Sequence, residues 1–245
     1  MRVAAIADVH GNLPALEAVL ADLEEEAPDM IVIAGDVVPG PMPAETIDLL
    51  RMLSGARFVR GNGERNVVEA FDDPDWSDRG PAEIVELTRW NARRLAREQR
   101  DVLAAFEPRV EVEIEGLGRV LFCHGSPRSE DELVTAATPE KRLLPMLSGV
   151  TADVVVFAHT HMQVDRRAAG IRLVNPGSVG MPYARAAGAY WAVLGPDVVM
   201  RTTEYDLEAA AARIRASGAP GAEEFARENV LTTPSPEEAL AAFEP

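Results

Sequence analysis

Cysteine is almost absent from this 245-residue chain, which carries only Cys123. A single thiol excludes an intrachain disulfide, a Cys-x-x-Cys pair and a thiolate zinc cluster, and it suits a reducing compartment. No apolar run approaches the ~20 residues that a membrane span requires. The first, Val3 to Ala7, is only long enough for a strand. A soluble, unprocessed, cytoplasmic chain with no membrane partner is expected. Basic residues are also scarce: 24 Lys and Arg stand against 40 Asp and Glu, a formal net charge of −16. Exposed surface of that sign repels phosphate backbones, so no long nucleic acid is expected as a partner. A small anionic ligand stays open, because bound divalent cations would dominate the field of their own pocket.

What is present suffices for a core. Apolar residues make up 47% of the chain, and the length fits one α/β domain with appendages. Three times in the first 64 residues an apolar segment runs into a glycine-containing turn with a carboxylate or amide at its mouth. Val3–Ala7 leads to Asp8-Val9-His10-Gly11-Asn12, Met30–Ala34 to Gly35-Asp36, and Phe58–Arg60 to Gly61-Asn62-Gly63-Glu64. Ligand sites of open α/β sheets gather at such strand ends. The spacing of Leu16, Val19, Leu20 and Leu23 predicts a helix with Pro14 in its first turn, and a second is expected from about Ala44 to Leu53. Pro81 to Ala105 reads as one long charged helix within an insertion over about residues 72–106. Further strands are expected at Val110–Ile114, Val120–Cys123, Asp153–Ala158, Ile171–Val174, Ala189–Leu194 and Val198–Thr203. A helix over Thr138–Leu147 is expected to have Thr138 as its N-cap. The main domain is expected over 1–205. Residues 206–245 are expected as a helical extension, one packed helix followed by a loosely attached tail.

All four histidines, His10, His124, His159 and His161, follow predicted strands beside small polar residues or carboxylates, and none sits on a periodic apolar face. One such histidine is more often structural than a ligand, but four in this setting reverse the odds. Neutral imidazoles and carboxylates suit borderline divalent cations. Asp8-x-His10 and His159-x-His161 each present two side chains on one side of an extended turn. Asp36 could bridge two ions, and Asn62 and His124 could complete a set of seven ligands.

In this order, with Cys123-His124-Gly125-Ser126, Ala158-His159-Thr160-His161 and Asn175-Pro176-Gly177-Ser178, the motifs resemble the calcineurin-like metallophosphoesterases, in particular their small bacterial phosphodiesterase branch. The likeness spans residue 3 to about 182. It implies a four-layer α-β-β-α sandwich of two mixed sheets. It also implies that Asp8, His10 and His161 hold one metal, that Asn62, His124 and His159 hold the other, and that Asp36 bridges them. Asp36, Asn62 and His124 would then be catalytic. Manganese is the favoured metal, with iron, zinc, nickel and cobalt open. The implied mechanism is in-line attack on phosphorus by a metal-bridging hydroxide, the cations neutralising charge as it develops. Asn12 is expected to help hold phosphate oxygens.

One position departs from the pattern. Many members follow the motif's asparagine with a histidine that contacts phosphate and can protonate the leaving group, whereas this chain has Gly63. Substrates with good leaving groups are therefore expected, small phosphodiesters such as cyclic nucleotides ahead of monoesters. Arg65 is the nearby side chain expected to meet the phosphate. A phosphomonoesterase or a nucleotide or protein phosphatase on the same ligands stays open, as do a non-catalytic scaffold of this fold and a homo-oligomer. Cys123 is expected in the core, Ser126 and Ser178 in turns, and Glu64 as an acidic first-turn residue favoured by the helix dipole.

Overall fold

The computed structural model describes residues 1–244. Two five-stranded sheets lie face to face. The first is built from β1 (Val3–Ile6), β2 (Met30–Ile33), β3 (Arg57–Phe58) and two later strands. The second comprises β4 (Val110–Ile114), β5 (Gly118–Phe122), β6 (Val154–Val156), β7 (Gln163–Ala168) and β8 (Ile171–Pro176). The two later strands of the first sheet are β9 (Ala189–Leu194) and β10 (Val198–Thr203). The strand orders are β10-β9-β1-β2-β3 and β4-β5-β6-β8-β7. Three neighbouring strands run parallel in each sheet: β1–β2–β3, with β9 antiparallel to β1 on one side, and β5–β6–β8, flanked by antiparallel β4 and β7.

The sequence explains the layering. Alternate side chains of a strand face opposite ways, so Val3 and Ala5 of β1 meet Val112, Val120, Phe122 and Val156 between the sheets. Ala4 and Ile6 face outward onto α1 (Leu13–Glu26), whose Leu16, Val19 and Leu23 fill the layer behind. Each such side chain contributes ~1.5–3 kcal/mol on burial. α2 (Pro43–Leu50) lies on the same side. α3 (Asn62–Asp72), α4 (Ala82–Arg94) and α5 (Arg97–Ala104) follow, and α6 (Glu140–Met146) covers the second sheet through Leu143 and Met146. The result is the four-layer sandwich of two mixed sheets.

Several expectations need correction. The single helix of 81–105 is two helices. Leu95 is extended (φ −80°, ψ 141°) and buried in the core, and Gln99 Oε1 accepts the Ala96 N–H to start α5 afresh. Thr138 does not cap α6: its hydroxyl accepts from Thr135 N–H at 2.8 Å, and the helix starts after Pro139. β7 was not expected, because Gln-Val-Asp-Arg-Arg-Ala lacks a clean apolar alternation. It is an edge strand, and four of its six residues face solvent or are part-buried. Residues 207–231 form more than one packed helix. α7 (Leu207–Ala216), α8 (Ala222–Phe225) and a π-helical turn over 226–231 pack on Leu87 and Trp90 of α4 and on Met181. The chain then continues into α9 (Pro236–Phe243).

No helix among the described residues is long and apolar enough to cross a membrane. Cys123 is a free, buried thiol, and burial pushes it up to about 12.

Candidate metal centre

The parallel strands all point their carboxyl ends to one rim, and every expected ligand stands there. Asp8 and His10 follow β1, Asp36 follows β2, Asn62 follows β3, His124 follows β5, and His159 and His161 follow β6. Among the described residues, seven non-glycine residues adopt positive φ, and five are Asp8 (53°), His10 (45°), Asp36 (52°), His159 (67°) and His161 (56°). Left-handed backbone is costly outside glycine, least so for Asp, Asn and His, and such strain concentrates at functional sites.

These turns bring two groups together. Asp8, His10 and His161 have ligand atoms within 4.8 Å of one another, as do Asp36, His124 and His159, and each group could hold a metal ion. Asp36 faces both: its Oδ2 lies 3.7 Å from His10 Nε2 and 3.3 Å from His124 Nε2. The His10 and His161 rings present Nε2 to Nε2 at 3.2 Å, and His124 Nε2 faces His159 Nδ1 at 3.1 Å. Three of these rings are oriented from behind. Nδ1–H of His10 donates to Pro39 O, that of His124 to Ala34 O and that of His161 to Met181 O, at 3.1, 2.8 and 2.8 Å. A carbonyl can only accept, so in the neutral rings the Nε2 lone pair turns into the site. Lone pairs face to face repel unless a proton or cation lies between them. Asn62 Oδ1 is also buried with no hydrogen-bond partner. A buried acceptor left unpaired is costly, and a hard or borderline cation would supply a partner. The donor set fits two divalent ions.

The electrostatics of the bare residues agree. Burial raises the Asp8 carboxyl well above the usual range, against the pull of His124. Burial also opposes the His124 cation, but Asp36 and Asp8 override it and hold the ring up to about 10. Asp36 stays ionised far below its usual value despite its burial, because His124 and His10 face it. Burial lowers His10 and His161, and it takes His159, beside the His124 charge, down to about 4.

Three further residues make contacts that the sequence did not reveal. Asn12 is wholly buried and committed to the scaffold: Oδ1 caps α1 by accepting from Ala15 N–H at 3.3 Å, and Nδ2 donates to Gly180 O at 3.1 Å. This geometry gives no support to a phosphate contact. Arg65 is paired with Glu130 at 2.6 Å and Asp131 at 2.9 Å, on the wall of a cleft that His124 also lines. Glu64 is more than a dipole partner. It is fully buried, with Oε1 accepting from the N–H groups of Val37 and Val38 and Oε2 from those of Asp36 and Gly61. One side chain thus ties the turn after β2 to the turn after β3. Burial and the neighbouring Asp36 charge lift it to about 7. Its position two residues after Asn62 was the only signal in the sequence.

Gly63 has a steric reason. A Cβ there would lie 2.0 Å from Val38 O and 2.8 Å from Asp36 Oδ1, and its N–H donates to that same Oδ1 at 2.8 Å. The end of β8 and the turn that follows it also brace the rim. Asn175 Nδ2 donates to Ala158 O, and Ser178 Oγ donates to Asp8 O while accepting from Met181 N–H.

Fold and centre together define a metal-dependent phosphoesterase framework. The sequence model of the calcineurin-like phosphoesterase superfamily domain matches residues 1–195, and the chain belongs to that superfamily, whose members are hydrolases that use divalent metals. An uncharacterized protein of Methanocaldococcus jannaschii is 27% identical over 196 residues, covering 74% of this chain and 76% of its own. A hypothetical protein from Pyrococcus horikoshii superposes with a TM-score of 0.79 at 25% identity, over 96% of this chain and 99% of that one. A metallophosphoesterase from Sphaerobacter thermophilus does so with a TM-score of 0.73 at 27% identity, over 93% and 97%.

Proposed function

We propose that this protein hydrolyses small phosphodiesters at a two-metal centre. Asp8, His10 and His161 would hold one ion, Asn62, His124 and His159 the other, and Asp36 would serve both. The observation that carries the reading is the two pairs of opposed imidazole nitrogens on either side of Asp36, each pair needing a proton or a cation between its members. When bound, two divalent ions supply Lewis acidity and water activated near neutral pH. The chain's own residues do the rest. Backbone carbonyls behind His10, His124 and His161 fix which nitrogen faces the site, and Glu64 holds Asp36 and Gly61 in register. The strand-end turns bury the donor set, which strengthens every charge interaction within it.

No imidazole stands at position 63 to protonate a leaving oxygen, and this supports diesters with good leaving groups, aryl or strained cyclic, over unactivated monoesters. Mixed nitrogen and oxygen donors without sulfur suit manganese, iron, zinc, nickel and cobalt alike, and manganese is the ion taken first. The net charge of −16 supports a small substrate over a long nucleic acid, and the lone buried thiol is in keeping with the cytoplasm. Loss of ligating residues marks a scaffold. All seven positions here retain them, which favours an enzyme.

The test is hydrolysis of bis-(p-nitrophenyl) phosphate against p-nitrophenyl phosphate, in metal-stripped protein restored with manganese and in Asp36→Asn. Manganese-dependent turnover that prefers the diester and is lost in Asp36→Asn is expected. Turnover with none of the five metals would favour the scaffold.

A further inference from the structure

After the π-helical turn, residues 232–244 come back to the rim and attach on both sides of the His159–His161 segment. On one side, the Thr233 hydroxyl donates to Pro182 O, and Ala184 N–H donates to Pro234 O at 3.0 Å. Phe243, at the end of α9, sets its ring against Tyr183 at 5.7 Å and 66°. Tyr183 in turn stacks on His161 at 5.5 Å and 22°, and its N–H donates to His161 O at 3.1 Å. On the other side, Glu244 Oε1 accepts from the hydroxyls of Thr135, at 2.8 Å, and Thr138, while Oε2 accepts from Arg142 at 2.5 Å. Next to Thr135, Val134 O accepts from the hydroxyl of Thr160, the residue between the two histidines, at 2.9 Å.

Apolar burial does not explain this seat. The fully buried residue of α9 is Ala239, a small side chain. The segment is held by directed contacts at its two ends, which lead through Tyr183 to His161 and through Thr135 and Val134 to Thr160. His124, by contrast, lines a cleft of about 350 Å³ whose wall carries Arg60, Arg65, Arg109 and Arg128 together with Glu130 and Asp131, and Arg60, Arg65 and Arg128 are paired with Glu130, Asp131 and Glu132.

We propose that residues 232–244 form a specificity strap. It closes the His161 flank, so that substrate enters along the cleft beside His124 and only small esters fit. This rests on the phosphoesterase reading and adds to it what sets the size of substrate. No strap residue belongs to the donor set.

The experiment compares the full chain with a version ending at Leu231 and with the double variant Phe243→Ala/Glu244→Gln. Two substrates share one leaving group: bis-(p-nitrophenyl) phosphate and the p-nitrophenyl ester on the 5′-phosphate of a tetrathymidylate. Manganese loss to excess EDTA is measured alongside. Freeing the strap is expected to raise the ratio of kcat/KM for the long ester over the small one by about tenfold, and to speed manganese loss by a similar factor, the effect of an opening made easier by a few contacts. An unchanged ratio and an unchanged loss rate in folded variants would overturn the strap. If the truncated chain fails to fold, the double variant decides. If no form turns over either ester, the phosphoesterase reading fails, and manganese loss still judges the strap: faster loss supports it and an unchanged rate sinks it.

Discussion

The Nε2 atoms of His10 and His161 face each other at 3.2 Å, although the two residues are 151 positions apart in the chain. Each ring gives its other nitrogen to a carbonyl, so neither can turn away without losing a hydrogen bond.

Metal uptake should release protons. In the metal-free centre His124 keeps its proton up to about 10, since Asp36 and Asp8 outweigh its burial. An ion must displace that proton, so affinity rises with pH below about 10, by up to ~10-fold per unit for one proton released. Calorimetric titration with manganese at pH 7 in buffers of different ionisation enthalpy should show release of about one proton. Affinity independent of pH between 6 and 8 would contradict this.

The same raised value fixes the sign of a stability effect in metal-free protein. The charged His124 stabilises the fold fully below the unfolded value of ~6.5. That contribution fades as pH rises through about 10. Urea midpoints of the stripped protein should therefore fall between these limits, and those of the manganese-loaded protein should fall less.

Glu64→Gln replaces an acceptor-only carboxylate by an amide whose NH₂ must confront backbone N–H donors. The variant should lose ~1.5–3 kcal/mol and bind manganese ~10–100-fold more weakly, read from urea unfolding and metal titration. Glu64→Asp, which keeps the charge but is too short for all four N–H groups, should recover part of the affinity.

Restoring the residue type that many relatives carry should harm this chain. Gly63→His places a Cβ against Val38 O and Asp36 Oδ1, and Gly63→Ala is expected to cost ~1–3 kcal/mol from the same crowding. A gain in activity on alkyl monoesters in Gly63→His would show that the turn yields.

Across a series of aryl phosphodiesters, wild-type kcat should fall steeply as the leaving phenol becomes more basic. A flat profile would mean that some other group supplies the proton.

The ligand set was legible because every member follows one of five parallel strands, and a strand running into a polar turn is a local pattern. The mixed sheets followed from the resemblance to a known family. Contacts between distant segments were not legible. Nothing in the sequence near Asn12 reveals that Gly180 O lies at its amide, or that Glu64 reaches the turn of Asp36. The break at Leu95 was hidden because the flanking segments share a helical pattern, and tertiary burial of Leu95 decides the backbone there. β7 was missed because an edge strand needs only half of an apolar pattern.

The left-handed turns also restrict how the centre can change. Asp8, His10, Asp36, His159 and His161 occupy backbone that disfavours branched side chains. Drift away from metal binding at these five positions would therefore run through asparagine and glycine and not through valine or isoleucine. A library randomised there and sorted only for folded protein should return those two residues even where every ligand is lost.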